Sequence, residues 1–264
     1  MRTLAIVLRQ FYLVRGSASR LTPMFIWVAI DMVLWGFMTK FLNALSASRF
    51  DFVPALLGAV LLWDFFTRVM QGVTMAFFED VWSRNFLNMF ATPIRISEYV
   101  GGLVLSSIGT SAIGLVIMLV VATFGFGLSF LSYGLLLIPF LMVLFLFGIA
   151  LGIVGISLVL RLGPASEWFV WPIPAVLSPF VGVFYPLSTL PGWMQAFSRI
   201  LPPAYVFEGV RAIVAGKEVP LAPLFFGIAL SLVYVLLASL LFARMYKHSV
   251  RTGLIARYSA ESVS

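Results

Sequence analysis

Cysteine is absent from this 264-residue chain, and histidine occurs once, at His248. The first absence removes disulfides, thiolate metal sites and thiol nucleophiles together. The second removes any histidine-clustered metal site and makes a Ser–His–Asp triad a poor fit. Charge is scarce too: Asp, Glu, Lys and Arg are 10% of the chain, against 62% hydrophobic residues. A soluble domain usually carries about 25% charged and about 45–50% apolar residues. Too little charge is present to build a water-facing surface, which excludes a soluble enzyme. The apolar content equally excludes a disordered chain. With a mean hydropathy of +1.08, the chain reads as a polytopic membrane protein.

The net charge of +7 would suggest nucleic acid in a soluble protein. In a membrane protein it marks loops kept on the cytoplasmic side, and no nucleic-acid partner is expected. Arg2, Arg9, Arg15 and Arg20 are spread along the first residues without a long apolar core or a small-residue cleavage site, so no cleavable signal peptide is expected.

A membrane-crossing helix needs roughly 20 mostly apolar residues, because about 30 Å of hydrocarbon is crossed at about 1.5 Å per residue. Six stretches meet this, near residues 21–43, 52–78, 97–124, 133–160, 168–186 and 222–243. The period-two alternation of an outer-membrane barrel is missing, so the expected class is an all-α integral membrane protein with six transmembrane helices. With the N-terminus inside, eleven Lys and Arg residues fall on the cytoplasmic side and five outside. That bias predicts cytoplasmic N- and C-termini. The expected organisation is an amphipathic interfacial helix over 1–20, a transmembrane domain over 21–245 and a basic cytoplasmic tail over 246–264. The arginines of the interfacial helix are expected to face anionic headgroups.

No phosphate-binding loop is present. The nearest string, Gly209 to Glu218, has six residues between Gly209 and Gly216 where the loop needs four, and Glu218 stands where Ser or Thr must hold magnesium. If ATP is used, another chain binds it. Neither a phosphotransferase carboxylate cluster nor an H-E-x-x-H helix is found. No catalytic residue and no metal site are expected in this chain.

Charges placed within spans are costly and count as functional candidates. Asp31 lies mid-way along the first span, and Asp64 and Arg68 share one face of the second, four residues apart. They form either an ion-pair lock between the two spans or a polar path for substrate or protons.

Two segments do not simply span. Residues 80–92 are too polar to cross, yet Trp82, Phe86, Leu87, Met89 and Phe90 are too apolar for a free loop. A short helix is expected there, capped by Asp80 or Ser83 and ended by Thr92-Pro93. It either lies on the membrane or enters a groove on a partner protein. On the outer side, Pro191 can open a short helix, Pro202-Pro203 breaks it, and a second helix carries Glu208 and Arg211. This hairpin, about 187–215, reads as a re-entrant gate or as an interfacial loop. The fifth span is interrupted by Pro172, Pro174 and Pro179, and Gly148-x-x-x-Gly152 permits close helix contact.

In order and placement, these features resemble the membrane permease of the type-2 ABC exporter family. The residues that carry the likeness are the N-terminal interfacial helix, Glu79 with Ser83-Arg84-Asn85, and the Ala91-Thr92-Pro93-Ile94 ending. On the outer side they are Tyr185 to Trp193, Leu201 to Tyr205 and Glu208 to Arg211. The resemblance implies that 80–92 is a coupling helix docking on a nucleotide-binding ATPase subunit. Glu79 and Asp80 would stand at its hinge, with Trp82, Arg84, Asn85, Phe86 and Met89 at the contact. It implies an outer gate built from Pro191, Trp193, Tyr205, Glu208 and Arg211. It implies two permease copies with two ATPase subunits, which would hold the ATP and magnesium, in a bacterial inner membrane. The implied cargo is a lipid-linked or amphipathic substrate. A proton-coupled secondary transporter using Asp31, Asp64 and Arg68, or a membrane assembly factor that moves nothing, are the competing readings.

Overall fold

The computed structural model of the chain describes residues 2–16, 18–45, 53–83, 89, 92–163 and 166–254. Every regular element among them is helical. Helix α1 spans Arg2–Arg15 and α2 spans Ala18–Leu45. A single π-helical turn, Val53–Leu57, leads into α3, Gly58–Trp82. Helix α4 covers Ile96–Phe126 and stops at Gly127, whose φ of 74° is the left-handed conformation that glycine adopts freely. A 3₁₀ segment, Phe130–Leu136, enters α5, Leu137–Leu162.

The stretch expected to form the fifth span is not one helix. It is divided into α6, Glu167–Val170, and α7, Ile173–Val181. Pro172 and Pro174 sit at the start of α7, where a missing N–H is tolerated, and Pro179 lies inside it. Beyond a 3₁₀ turn at Leu187–Thr189 come α8, Gly192–Ser198, and α9, Pro202–Val214. The last helix, α10, runs Leu221–Arg251, so residues 246–251 of the expected tail continue the helix. Residues 255–264 lie outside the described residues.

Four segments among the described residues are long and apolar enough to cross a membrane: Val53–Trp82, Ile96–Phe126, Tyr133–Leu162 and Leu221–Arg251. The least hydropathic is the first, at 1.5, and it is also the most enclosed, with 67% of its window buried. The helices at 2.3 and 2.5, α4 and α10, are only 22% buried. The most hydropathic segment, Tyr133–Leu162 at 2.8, is 50% buried, so hydropathy alone does not set the order. The enclosed α3 is the one that carries Asp64 and Arg68, as the cost of charge in lipid requires.

Small residues let α3 and α5 approach closely. A Cβ at Gly148 would fall 2.9 Å from Val69 Cγ1, and one at Gly152 would fall 2.8 Å from Val73 Cβ. The Gly148-x-x-x-Gly152 pattern is therefore used against α3. Thr74 donates its hydroxyl to the Met70 carbonyl at 2.9 Å, inside the same seam. On its other side α5 receives α10: Ser249 donates to the Leu160 carbonyl at 2.7 Å, and Tyr234 meets Phe147 edge-on at 5.1 Å. Helix α4 is joined to α3 by Ser107, which donates to the Val69 carbonyl at 3.0 Å. Gly72, whose Cβ would clash with Ser107, makes room for it.

Candidate functional site

The last turn of α3 is where the sequence features converge. Glu79, Asp80 and Trp82 belong to α3 itself and do not start a separate helix. The expectation that Asp80 or Ser83 caps a new helix is corrected: the Asp80 carboxylate turns inward, and Ser83 Oγ donates back to the Asp80 carbonyl. A carboxylate near a helix C-terminus is unfavourable to the helix dipole. Here its charge is answered by tertiary partners. Arg9 of α1 grips Asp80 with both guanidinium nitrogens, Nη1 to Oδ2 at 2.9 Å and Nη2 to Oδ1. Tyr99 of α4 donates its hydroxyl to Oδ2 at 2.7 Å. Asp80 is only 1% exposed. One carboxylate thus binds three helices.

Such bidentate, charge-assisted geometry is the strong form of the hydrogen bond. Removing one partner of a buried pair leaves the other charge stranded, at a cost of about 3–5 kcal/mol. The hydrogen bond to Asp80 raises the pKa of Arg9 above its ordinary value, against the opposing effect of burial. A group with a raised pKa contributes stability fully below its unfolded value and loses it only as pH climbs through the folded one. The pair therefore holds throughout the neutral range. The reading that all arginines of α1 face headgroups fails for Arg9, which is committed to Asp80.

Helix α1 is seated closely enough to make this reach. Its buried face carries Ile6 and Gln10. Gly102 of α4 has no room for a side chain, since a Cβ there would lie 2.5 Å from Ile6 Cβ and 3.2 Å from the Thr3 carbonyl oxygen. Arg2 approaches Glu98 at 3.8 Å, an exposed pair of little energetic weight. Glu98 also accepts the Arg95 backbone N–H at 2.8 Å, closing the start of α4. Opposite this seat, Leu4, Leu8, Phe11 and Tyr12 are exposed.

Beyond Asp80 the chain presents apolar surface. Trp82 is 47% exposed and stacks on Phe78 with centroids 5.7 Å apart. Met89 is half-buried against the core, and its carbonyl accepts the Thr92 hydroxyl. Arg84, Asn85 and Phe86 lie outside the described residues.

Asp31 on α2 and Asp64 and Arg68 on α3 are brought within electrostatic reach of one another. The Arg68 stem runs over Gly114 of α4, where a Cβ would come within 3.2 Å of Arg68 Cδ. Three helices again meet at one charged position.

At the opposite end of the bundle, the 187–214 segment is stitched to its neighbours. Arg211 donates to the Gly182 carbonyl and lies 3.1 Å from Glu208. Glu208 also accepts the Leu187 backbone N–H at 3.1 Å. Burial lowers the Arg211 pKa, with Glu208 opposing it. Tyr205 donates to the Arg199 carbonyl at 2.6 Å and meets Phe226 of α10 edge-on. Pro191 occupies the position before α8, and Trp193 is 68% exposed with an edge contact to Phe180.

Sequence reasoning did not find Tyr99, Gly102 or the inward turn of Arg9. One signal was present: Thr3, Ile6 and Gln10 recur at helical spacing on one side of α1, and Gly101-Gly102 opens α4.

Among the described residues every regular element is helical and four segments are long and apolar enough to cross a membrane, which defines a polytopic membrane protein. The ABC-2 type transporter family model matches residues 3–215. The chain belongs to the ABC-2 type transporter family, as a membrane permease component. Comparison with curated proteins returns no match.

Proposed function

We propose that this chain is the transmembrane subunit of an ATP-driven exporter, working as two copies with two separate ATPase subunits. The spans are α2, α3 with its π turn, α4, α5, the proline-broken α6–α7 segment and α10. The lysine and arginine distribution supports cytoplasmic termini. That orientation puts α1, Asp80 and Trp82 on the cytoplasmic side, and α8 and α9 outside as a re-entrant hairpin. Residues 80–92 then form the contact for the ATPase, with Trp82, Arg84, Asn85, Phe86 and Met89 meeting it and Glu79 and Asp80 at its root. Hydrolysis takes place in the partner, and this chain converts the partner's closure into changed helix tilt. An ATPase drives that change only to the extent that its binding energy differs between the permease states.

The observation that carries the reading is the family match over a chain whose helix α3 ends in an exposed Trp82 just beyond a rigidly clamped Asp80. A lever needs such a pairing of a free contact surface with a fixed root. A lipid-linked or amphipathic cargo suits the 16% aromatic content and the apolar spans, and the expected location is a bacterial inner membrane. Trp82→Glu and Phe86→Glu, tested by affinity capture from host membranes, should release the ATPase subunit while the chain still inserts. Survival of binding through charged substitutions across 80–92 would displace the contact to another part of the chain.

A further inference from the structure

We infer that α1 is a driven part of the lever, because the Asp80 node fastens it to α3 and α4 so that the three move as one body. The claim that nucleotide drives this motion rests on the proposed function; the one-body claim stands on geometry alone.

Asp80 is the last charged residue of α3, three positions from Ser83, where the helix ends. The 83–92 segment is continuous with this turn, so its displacement is passed to it through the chain. The turn is bound on two sides, by the paired nitrogens of Arg9 and by the Tyr99 hydroxyl. Asp80 accepts from both, so neither α1 nor α4 can part from α3 without taking a hydrogen-bond donor from a buried carboxylate. The Gly102 seat adds a second fastening, since Ile6 sits where any larger residue would stand. Ser107 and the Val69 carbonyl carry the α3–α4 connection further along both helices. The node touches no substrate, so Arg9, Asp80 and Tyr99 are positioning residues. Helix α1 turns its Leu4, Leu8, Phe11 and Tyr12 face outward, so moving it moves an apolar paddle at the edge of the spans.

Hydrogen exchange on the tagged complex captured from host membranes tests this, with and without ATP plus vanadate. In the parent protein, trapped nucleotide should change exchange over residues 2–15 as well as 83–95. Arg9→Gln, which leaves residues 80–92 untouched and Tyr99 on Asp80, should keep the ATPase subunit bound and keep the 83–95 response, but lose the 2–15 response. It should also speed basal exchange of α1 about tenfold or more. If Arg9→Gln does not fold, a disulfide provides the reciprocal test. A Cβ at Gly101 would lie 3.7 Å from Thr3 Cγ2, so the two side-chain positions adjoin as a disulfide requires, and the chain has no other cysteine. Oxidised Thr3→Cys/Gly101→Cys should leave ATPase activity within about twofold of the reduced form if α1 and α4 already travel together. An unchanged α1 response in Arg9→Gln, or ATPase activity abolished by the disulfide, overturns the inference. If no ATPase elutes with the parent protein, the proposed function fails, and the basal exchange of α1 judges the one-body claim by itself.

Discussion

At the level of single residues, the protein places its polar groups where several helices can share them. Asp80 answers to α1 and α4, and Arg68 lies over Gly114 of α4 while facing Asp31 and Asp64. Glycine decides how close the helices come. Gly102→Leu forces a side chain into Ile6 and should cost about 1–3 kcal/mol through overpacking. Trypsin should then nick α1 at Arg9 and Arg15 faster than in the parent. Gly101→Ala next to it meets only an ordinary contact with Thr3, and its digestion should match the parent's. Asp31→Asn tests the charge cluster. As an ion-pair lock between α2 and α3, its loss should lower stability by about 1 kcal/mol, read as a lower thermal midpoint in detergent. Transport lost at an unchanged midpoint would instead make Asp31 part of a path for substrate or protons.

At the level of elements, helix ends carry the information that the sequence conveys least well. The run Phe77-Phe78-Glu79-Asp80 reads as the cytoplasmic end of the second span, with its apolar edge near residue 78. The helix runs on to Trp82 because Arg9, 71 positions away, removes the charge that marked the boundary. No local pattern reports a pairing at that distance. The proline-broken fifth stretch was legible, since Pro172, Pro174 and Pro179 act through backbone chemistry that is local by nature. The division of the outer hairpin at Pro202 was legible for the same reason, with α8 ending at Ser198 and α9 beginning at Pro202. What fastens the hairpin was not, because Arg211 reaches back 29 positions to the Gly182 carbonyl. Arg211→Ala should strand that carbonyl and free Glu208, so exchange should rise over residues 182–190 and 202–214. Exchange over α1 should not change, because the partners of Arg211, the Gly182 carbonyl and Glu208, lie at the other end of the bundle.

At the level of the whole molecule, composition alone points to the membrane class, and the least hydropathic of the four long segments, Val53–Trp82, is the one most enclosed by the others. Among the described residues, Arg9 and Asp80 form a node at one end of the bundle, Glu208 and Arg211 stitch the hairpin at the other, and Asp31, Asp64 and Arg68 gather where α2, α3 and α4 meet. Such fastenings suit helices that tilt together. The central claim is that this body is driven by a separate ATPase. The most direct test is capture of the tagged chain from host membranes in mild detergent, followed by an ATPase assay on the eluate. The account predicts a stoichiometric ATP-binding subunit whose activity elutes with the chain and is lost from the eluate of Phe86→Glu. A chain that elutes alone and without ATPase activity would contradict it.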